Sequence, residues 1–261
     1  MMNKKDGNIW KYRDLLLIFI WRDFNVKYRF ALLGIAWAVI QPLSFMLLFT
    51  FIFSYAMPIK VSKFPPAIFF YAGILPWSFF ANSITYGIQC FTGNHHYLKQ
   101  VYFPRIILPL VGVFTAFVDL LIASTLFIAL LVFYKFPVSI TAFWIIPLFF
   151  LLVLFVVSLS LISSILNVYY RDLGLVSSFL LQVIFFSTPV LYSVDKLPLK
   201  LKTLFFYNPL TFIFENIKRC LLEGRDVVEW QYFMMLFILI LLLIVSYRIF
   251  KFMERKLADV L

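Results

Sequence analysis

Residues that could carry out chemistry are few in this chain of 261 residues. A phosphate-binding P-loop needs two glycines five residues apart, followed by Lys and Ser or Thr, and the eight glycines contain no such pair. Two cysteines cannot form a disulfide framework, and no Cys-x-x-Cys or Cys/His cluster indicates zinc. His95 and His96 lack a nearby carboxylate, which favours a solvated loop over metal or acid–base work. The sequence therefore predicts no catalytic residue, no metal site and no cofactor bound by the chain itself.

Asp119 is the one acidic residue inside a long apolar stretch, 13 residues after Ile106 and 16 before Lys135. A carboxylate in mid-span costs on the order of 3 kcal/mol to insert, and it normally faces a bundle interior or an aqueous cavity. Its functional interpretations are a substrate contact or a proton site. The alternative is a protonated or hydrogen-bonded packing residue, with Thr115 and Ser124 about one turn away.

The composition indicates that these residues lie in a membrane. The hydrophobic set makes up 64% of the chain and charged residues only 13%, whereas soluble domains are about half apolar and about a quarter charged. This excludes a soluble enzyme, a disordered chain and a collagen-like fibre. The net charge of +11 is typical of lysines and arginines that flank membrane spans, so we expect membrane lipids and no nucleic acid as partners.

The apolar stretches predict an all-α integral membrane protein, because each is long enough for a helix of ~20 residues. The six predicted spans are 31–56, 67–90, 106–134, 142–166, 173–194 and 230–247, the last extended to 251. We expect one transmembrane domain over 1–261. Its other parts are a cytoplasmic interfacial segment (1–30), outer helices (195–229) and a cytoplasmic tail (252–261).

The distribution of Lys and Arg predicts that both termini are cytoplasmic. The first 29 residues contain seven of these cations, and the first segment usually dominates topology. The segment 195–229, which this topology places on the outer side, contains six Lys and Arg residues. That count opposes the predicted orientation.

An outer helix is predicted between Asn208 and Gly224. Asn208 followed by Pro209 is typical of an N-cap and first helical turn, and Gly224 is a typical C-terminal stop. Glu215 and Lys218 lie on the side opposite the apolar positions, which are Leu210, Ile213, Phe214, Ile217 and Leu221. We expect an amphipathic helix that dips into the bilayer with 199–207 as a re-entrant hairpin; the alternative is a helix lying on the membrane surface.

The 54 aromatic residues allow more than one interpretation. Some are expected at the membrane interfaces, and others pack between helices or face lipid. Aromatic faces also stack on sugar rings, by analogy with base stacking on aromatic platforms, so a polymer path is a further possibility.

Several short sequence motifs occur in a characteristic order along nearly the whole chain. They are Arg22-Asp23 with Lys27-Tyr28-Arg29, Leu33-Gly34 with Trp37 and Gln41-Pro42-Leu43, Gly73-Ile74-Leu75-Pro76-Trp77 with Phe79-Phe80, Tyr102-Phe103-Pro104-Arg105 with Leu108-Pro109, Asn167-Val168-Tyr169-Tyr170-Arg171-Asp172, Thr188-Pro189-Val190 with Tyr192, and Asn208-Pro209-Leu210 through Arg219 to Leu222-Glu223-Gly224. Together they resemble the membrane subunits of ABC-2-type exporters for cell-surface polysaccharides, such as O-antigen, capsule and teichoic-acid permeases. Ile106 departs from the pattern, because many relatives have an acid there.

The resemblance implies a homodimer in the inner membrane, with a separate ABC ATPase dimer beneath it that binds ATP and Mg²⁺. It also implies six spans, cytoplasmic termini, an interfacial N-terminal helix and a re-entrant pair before the last span. The implied cargo is a lipid-linked polysaccharide, most simply O-antigen, moved outward from the cytoplasmic face. The residues expected to contact the ATPase are Tyr97, Lys99, Tyr102, Phe103, Pro104, Arg105, Arg171 and Asp172.

Within such an exporter, spans 1, 2 and 5 are expected to line the path. Its candidate residues are Trp37, Phe49, Phe53, Phe186, Tyr192 and Asp119. The segment Tyr102–Arg105 is expected to insert into the ATPase as an apolar wedge that ends in a charged residue. Two other functions stay open: a membrane-embedded glycosyl- or acyltransferase, which needs a catalytic constellation, and an ion-driven lipid flippase, which needs several buried charges.

Overall fold

The computed structural model describes residues 12–56, 64–94, 103–196, 198, 205 and 208–254. Regular structure within these ranges is entirely helical. The α-helices are α1 (Arg13–Tyr28), α2 (Trp37–Phe51), α3 (Pro66–Gly93), α4 (Ile107–Phe133), α5 (Ile145–Tyr169), α6 (Asp172–Ser187), α7 (Pro209–Lys218) and α8 (Glu229–Glu254). Tighter or wider helical turns extend α2 at both ends, precede α5 and follow α7.

Among the residues that the structure describes, five helical segments are long and apolar enough to cross a membrane. They are Gly34–Tyr55, Pro66–Gly93, Ile107–Phe133, Ile140–Tyr169 and Glu229–Glu254. The fifth predicted span, 173–194, is an α-helix only over Asp172–Ser187. At 1.5 Å per residue those 16 residues cover about 24 Å, less than the ~30 Å of a hydrocarbon core.

Local signals set several helix ends where the sequence predicts them. Asn208 Oδ1 accepts a hydrogen bond from the backbone N–H of Leu210 (3.0 Å), and Pro209 occupies the first helical position of α7. Gly224 ends the following turn at φ +64°, in the left-handed region that favours glycine. The predicted cap and stop are therefore confirmed.

Helix α7 is buried on all sides, whereas the sequence predicts an amphipathic helix. Every residue from Leu210 to Lys218 is buried, including Glu215 and Lys218, which the helical pattern had placed on an exposed side. The helix packs against α3 and α5 instead of presenting its charges to solvent. The preceding residues 199–204, 206 and 207 lie outside the described ranges, so the predicted hairpin stays a prediction.

Helix α3 is the centre of the bundle. About 78% of its most apolar window is buried, against 11% for α2 and 22% for α4 and α8. Small residues let its neighbours approach closely: a Cβ on Gly87 would lie 2.2 Å from Ser160 Oγ of α5, and one on Gly112 of α4 would lie 2.7 Å from Tyr86 Cβ of α3. Such close contacts supply much of the packing energy between helices in a membrane.

We predict that Gly87→Ala destabilises the protein by about 1–3 kcal/mol, because α3 and α5 have to move apart to admit the methyl group. The measurement is the thermal unfolding midpoint of the purified protein in detergent. Gly93→Ala is the matched control, since a Cβ there meets no heavy atom within 4 Å and alanine favours the helix. Equal midpoints for Gly87→Ala and Gly93→Ala would contradict the proposed close packing.

Candidate functional site

A groove runs between α2, α3 and α6. Its cavity has a volume of about 340 Å³ and is partly open. The lining residues are Gln41, Phe45, Phe49, Ile74, Trp77, Ser78, Ala81, Asn82, Leu181, Gln182, Phe185 and Phe186. These helices are the three that the sequence predicts to line a transport path.

The groove combines flat aromatic walls with a few amide groups. Trp77 and Phe185 meet edge to face with ring centroids 5.1 Å apart, and Phe49 lies 6.2 Å from Phe185. Gln41 and Gln182 are exposed and Asn82 is half-buried, and all three face the cavity. Amides offer both donors and acceptors, and aromatic faces offer stacking. This lining can bind and guide a molecule that carries hydroxyl groups and apolar faces, without covalent chemistry.

The aromatic residues predicted for the path lie at or near this groove. Phe49 and Phe186 line it directly. Phe53 packs on Phe70 of α3 with ring centroids 5.4 Å apart. Tyr192 donates a hydrogen bond from its hydroxyl to the carbonyl of Phe186 (3.2 Å), which places it beyond the end of α6.

Trp37 and Asp119 line a second, smaller cavity of about 40 Å³. Gln41, Ser78 and Asn82 border both cavities, so the two are neighbours along α2 and α3. Asp119 is therefore close to the groove but does not line it.

Asp119 has partners that the sequence did not indicate. Lys27 Nζ of α1 lies 2.5 Å from Asp119 Oδ2, and the Tyr28 hydroxyl donates to Oδ1 at 2.7 Å. The two partners expected from spacing, Thr115 and Ser124, donate instead to backbone carbonyls of their own helix. The partners of Asp119 thus lie on another helix, and its role on a transport path stays a prediction.

The ion pair also affects Lys27. Burial by itself would lower the pKa of Lys27, but the hydrogen bond and charge of Asp119 raise it above its ordinary value overall. Lys27 therefore stays charged at neutral pH, and the pair fixes the end of α1 against α4. Lys27 and Tyr28 belong to one of the sequence motifs on which the family resemblance rests. That motif was the signal from which their importance could have been predicted.

At the end of the bundle that includes α1, loop residues pack onto the chain itself. Phe103 is buried and meets Phe19 of α1 edge to face at 5.5 Å. Arg105 Nη1 donates to the carbonyl of Glu254 at the end of α8 (3.1 Å). The Phe103 ring therefore packs within the chain, and its insertion into the ATPase stays a prediction.

The other residues predicted to contact the ATPase divide into two groups. Arg171 and Asp172 are exposed between α5 and α6 at this same end, and Pro104 is half-buried. Tyr97, Lys99 and Tyr102 lie outside the described residues. Their role stays a prediction.

The opposite end contains a buried polar cluster that sequence reasoning missed. Lys218 Nζ donates to the carbonyls of Pro189 (2.6 Å), Val190 (2.7 Å) and Tyr192 (3.2 Å). Glu215 accepts from Ser193 Oγ (3.1 Å) and from the backbone N–H of Val194 (3.3 Å). These contacts attach the turn after α6 to helix α7.

We predict that Asp119→Asn lowers stability by about 2–4 kcal/mol, because it leaves the Lys27 charge partly buried without its counter-charge. Combining Lys27→Met with Asp119→Asn should recover more than half of that loss. Thermal unfolding in detergent measures both effects.

The exposed pair of Arg13 and Asp14 is the control, with side chains 73% and 79% accessible. Asp14→Asn should change stability by less than about 1 kcal/mol. A double variant as unstable as Asp119→Asn alone would show that the ion pair is not what fixes α1.

Comparison with known proteins agrees with this architecture. The family model described as "ABC-2 type transporter" matches residues 14–222. Two proteins of Klebsiella pneumoniae, each named "O-antigen export system permease protein RfbA", are 30% identical over 263 residues that cover all of both chains. A protein of the same name from Myxococcus xanthus is 31% identical over 192 residues, which cover 72% of this chain and 71% of the relative. The chain thus belongs to the ABC-2 type transporter family.

Proposed function

We propose that this chain is the channel-forming subunit of an ABC exporter, and that its cargo is a lipid-linked polysaccharide of the O-antigen type. The observation that carries the proposal is the groove between α2, α3 and α6, whose aromatic and amide lining suits a sugar polymer. The family is one of transporters, and the relatives are named as O-antigen export permeases. Transport runs from the cytoplasmic face of the inner membrane to its outer face.

The groove is one half of the path, and a second copy of this chain supplies the other half. The groove is partly open, and two of the helices that line it expose large apolar residues: Phe45, Leu48 and Phe51 on α2, and Phe179, Val183 and Phe186 on α6. A homodimer related by a two-fold axis brings these apolar residues of the two copies together. The polymer then moves between aromatic walls of both copies.

The membrane topology of the proposal has six spans with both termini in the cytoplasm. Helix α6 with the turn that follows it is the fifth span, and α7 belongs to the re-entrant pair at the outer face that the sequence predicts with 199–207. Helix α1 lies at the cytoplasmic interface. The buried position of α7 against α3 and α5 supports this arrangement, because irregular backbone within a membrane has to be surrounded by protein.

A separate ABC ATPase drives the transport and holds ATP and Mg²⁺. It docks at the cytoplasmic end, where Arg171 and Asp172 are exposed and where residues 95–102 lie between α3 and α4 in the sequence. Phe103 and Arg105 transmit its movement, because Phe103 packs on α1 and Arg105 binds the end of α8. Asp119 is occupied by Lys27 and Tyr28, so its contacts support a positioning role rather than ion-coupled transport.

Filling the groove should block export. Gln182 is exposed on α6 and faces the cavity, so Gln182→Trp adds an indole without disturbing a packed interior. We expect surface polysaccharide to fall about tenfold, equivalent to ~1.4 kcal/mol in a rate barrier, while the amount of folded protein is unchanged. Quantitative immunoblotting of surface glycan, in cells that also express the ATPase, measures the effect.

Ile238→Trp is the control for this experiment, since Ile238 is 43% exposed on α8 and does not line the groove. It should leave export unchanged. Normal export by Gln182→Trp would argue against the groove as the polymer path.

Docking of the ATPase should depend on the charges between α5 and α6. Arg171→Glu reverses an exposed charge at the proposed interface, where like charges repel across the contact. We expect the amount of copurified ATPase to fall about fivefold. Arg225→Glu, at the opposite end of the bundle and 67% exposed in its side chain, should leave the complex intact. Loss of the ATPase with Arg225→Glu instead would reverse the proposed orientation.

A further inference from the structure

The turn that follows α6 is held by the side chains of a single helix face. Glu215, Lys218 and Arg219 are spaced i, i+3 and i+4, so they project from the same side of α7 and the helical turn that continues it. Glu215 binds the backbone at Val194, Lys218 binds carbonyls from Pro189 to Tyr192, and Arg219 Nη2 lies 2.9 Å from Asp195 Oδ1. Residues 189–195 are thereby attached along their whole length.

Lys218 makes the innermost of these attachments. It is only 4% exposed, and its ammonium group lies 4.4 Å from the centroid of the Phe69 ring. An ammonium group has three N–H donors, and three backbone carbonyls accept from it here. A buried cation is costly unless its hydrogen bonds are satisfied, so the geometry of the turn and the position of the lysine depend on each other.

Helix α3 is shaped to admit this contact. A Cβ on Gly73 would lie 2.3 Å from the carbonyl oxygen of Val190 and 3.1 Å from Lys218 Cε. Only a residue without a side chain therefore lets the turn and the lysine stem lie against α3 at this level. Gly73 and the 188–192 turn belong to separate motifs of the sequence, and Lys218 contacts both.

Two residues, Phe186 and Tyr192, connect the turn held by Lys218 to the groove. Phe186 lines the groove, and Tyr192 donates a hydrogen bond to the carbonyl of Phe186. Tyr192 is in turn held by its own carbonyl, which accepts from Lys218. A displacement of the lysine would therefore shift both aromatic residues at this end of the groove.

We infer that Lys218 is a positioning residue for the transport path: it holds the turn 188–195 so that Phe186 and Tyr192 form the end of the groove. The inference rests on the proposed function and extends it to a residue that does not touch the cargo. Its consequence is that α7 and the turn behave as one unit.

The test is Lys218→Met in the complex of this chain with its ATPase, reconstituted in liposomes. Methionine keeps an unbranched buried stem but removes all three donors. Lys135→Met is the matched control, because Lys135 is an exposed lysine in the loop after α4 at the same end of the bundle.

The first measurement is hydrogen exchange of the backbone amides of 186–195, which requires no transport. We expect exchange about tenfold faster in Lys218→Met than in the parent, because the local opening of the turn becomes easier. Lys135→Met should show the parent rate. Unchanged exchange in Lys218→Met would overturn the positioning role.

The second measurement is the amount of glycan exported per ATP hydrolysed. We expect this ratio to fall about fivefold while basal ATP hydrolysis and the unfolding midpoint stay near those of the parent. A merely structural role would lower hydrolysis, stability and export together, and that result would overturn the inference, as would an unchanged ratio. A parent complex that exports no glycan would refute the proposed function, whereas the exchange result would still decide whether Lys218 positions the turn.

Discussion

Polar groups inside a membrane-embedded bundle have to find partners within the protein, because hydrocarbon offers none. This constraint explains most of the specific contacts in the structure. Asp119 is satisfied by Lys27 and Tyr28, and Lys218 by three backbone carbonyls. Asn167 Nδ2 donates to the carbonyl of Ile88 and joins α5 to α3. Each contact links segments that are far apart in sequence, so the few polar residues fix the relative positions of the apolar helices.

The same constraint separates the molecule into two ends with different contacts. At one end α1, Phe103 and the end of α8 meet through ring packing and a hydrogen bond from Arg105 to the carbonyl of Glu254. At the other end α7 and the turn after α6 meet through buried charges. The central helix α3 contacts elements of both, and its glycines allow the close approach. The groove lies between these ends, along α2, α3 and α6.

Local signals in the sequence predicted local features well. Length and hydropathy identified the long spans, Asn208 and Pro209 began α7, and Gly224 ended the following turn, because each acts within a few residues. The burial of Glu215 and Lys218 was not predictable in this way, since a helical pattern assumes that charges face away from apolar neighbours. Hydropathy also extended the fifth span to 194, because it counts apolar residues and does not detect that the helix ends at Ser187. Contacts between distant residues, such as Lys27 with Asp119, depend on tertiary packing that spacing does not encode.

The pairing of Lys27 with Asp119 has a consequence for the order in which the protein is made. Synthesis proceeds from the N-terminus, so the cation leaves the ribosome 92 residues before the acid. Helix α1 is therefore already present at the membrane when α4 has to enter the bilayer with its carboxylate. Asp119 can then pair with Lys27 as α4 inserts, so the insertion of α4 becomes more favourable once the first helix is in place. We therefore expect the N-terminal helix to favour the insertion of α4, from which α2 and α3 separate it in the chain.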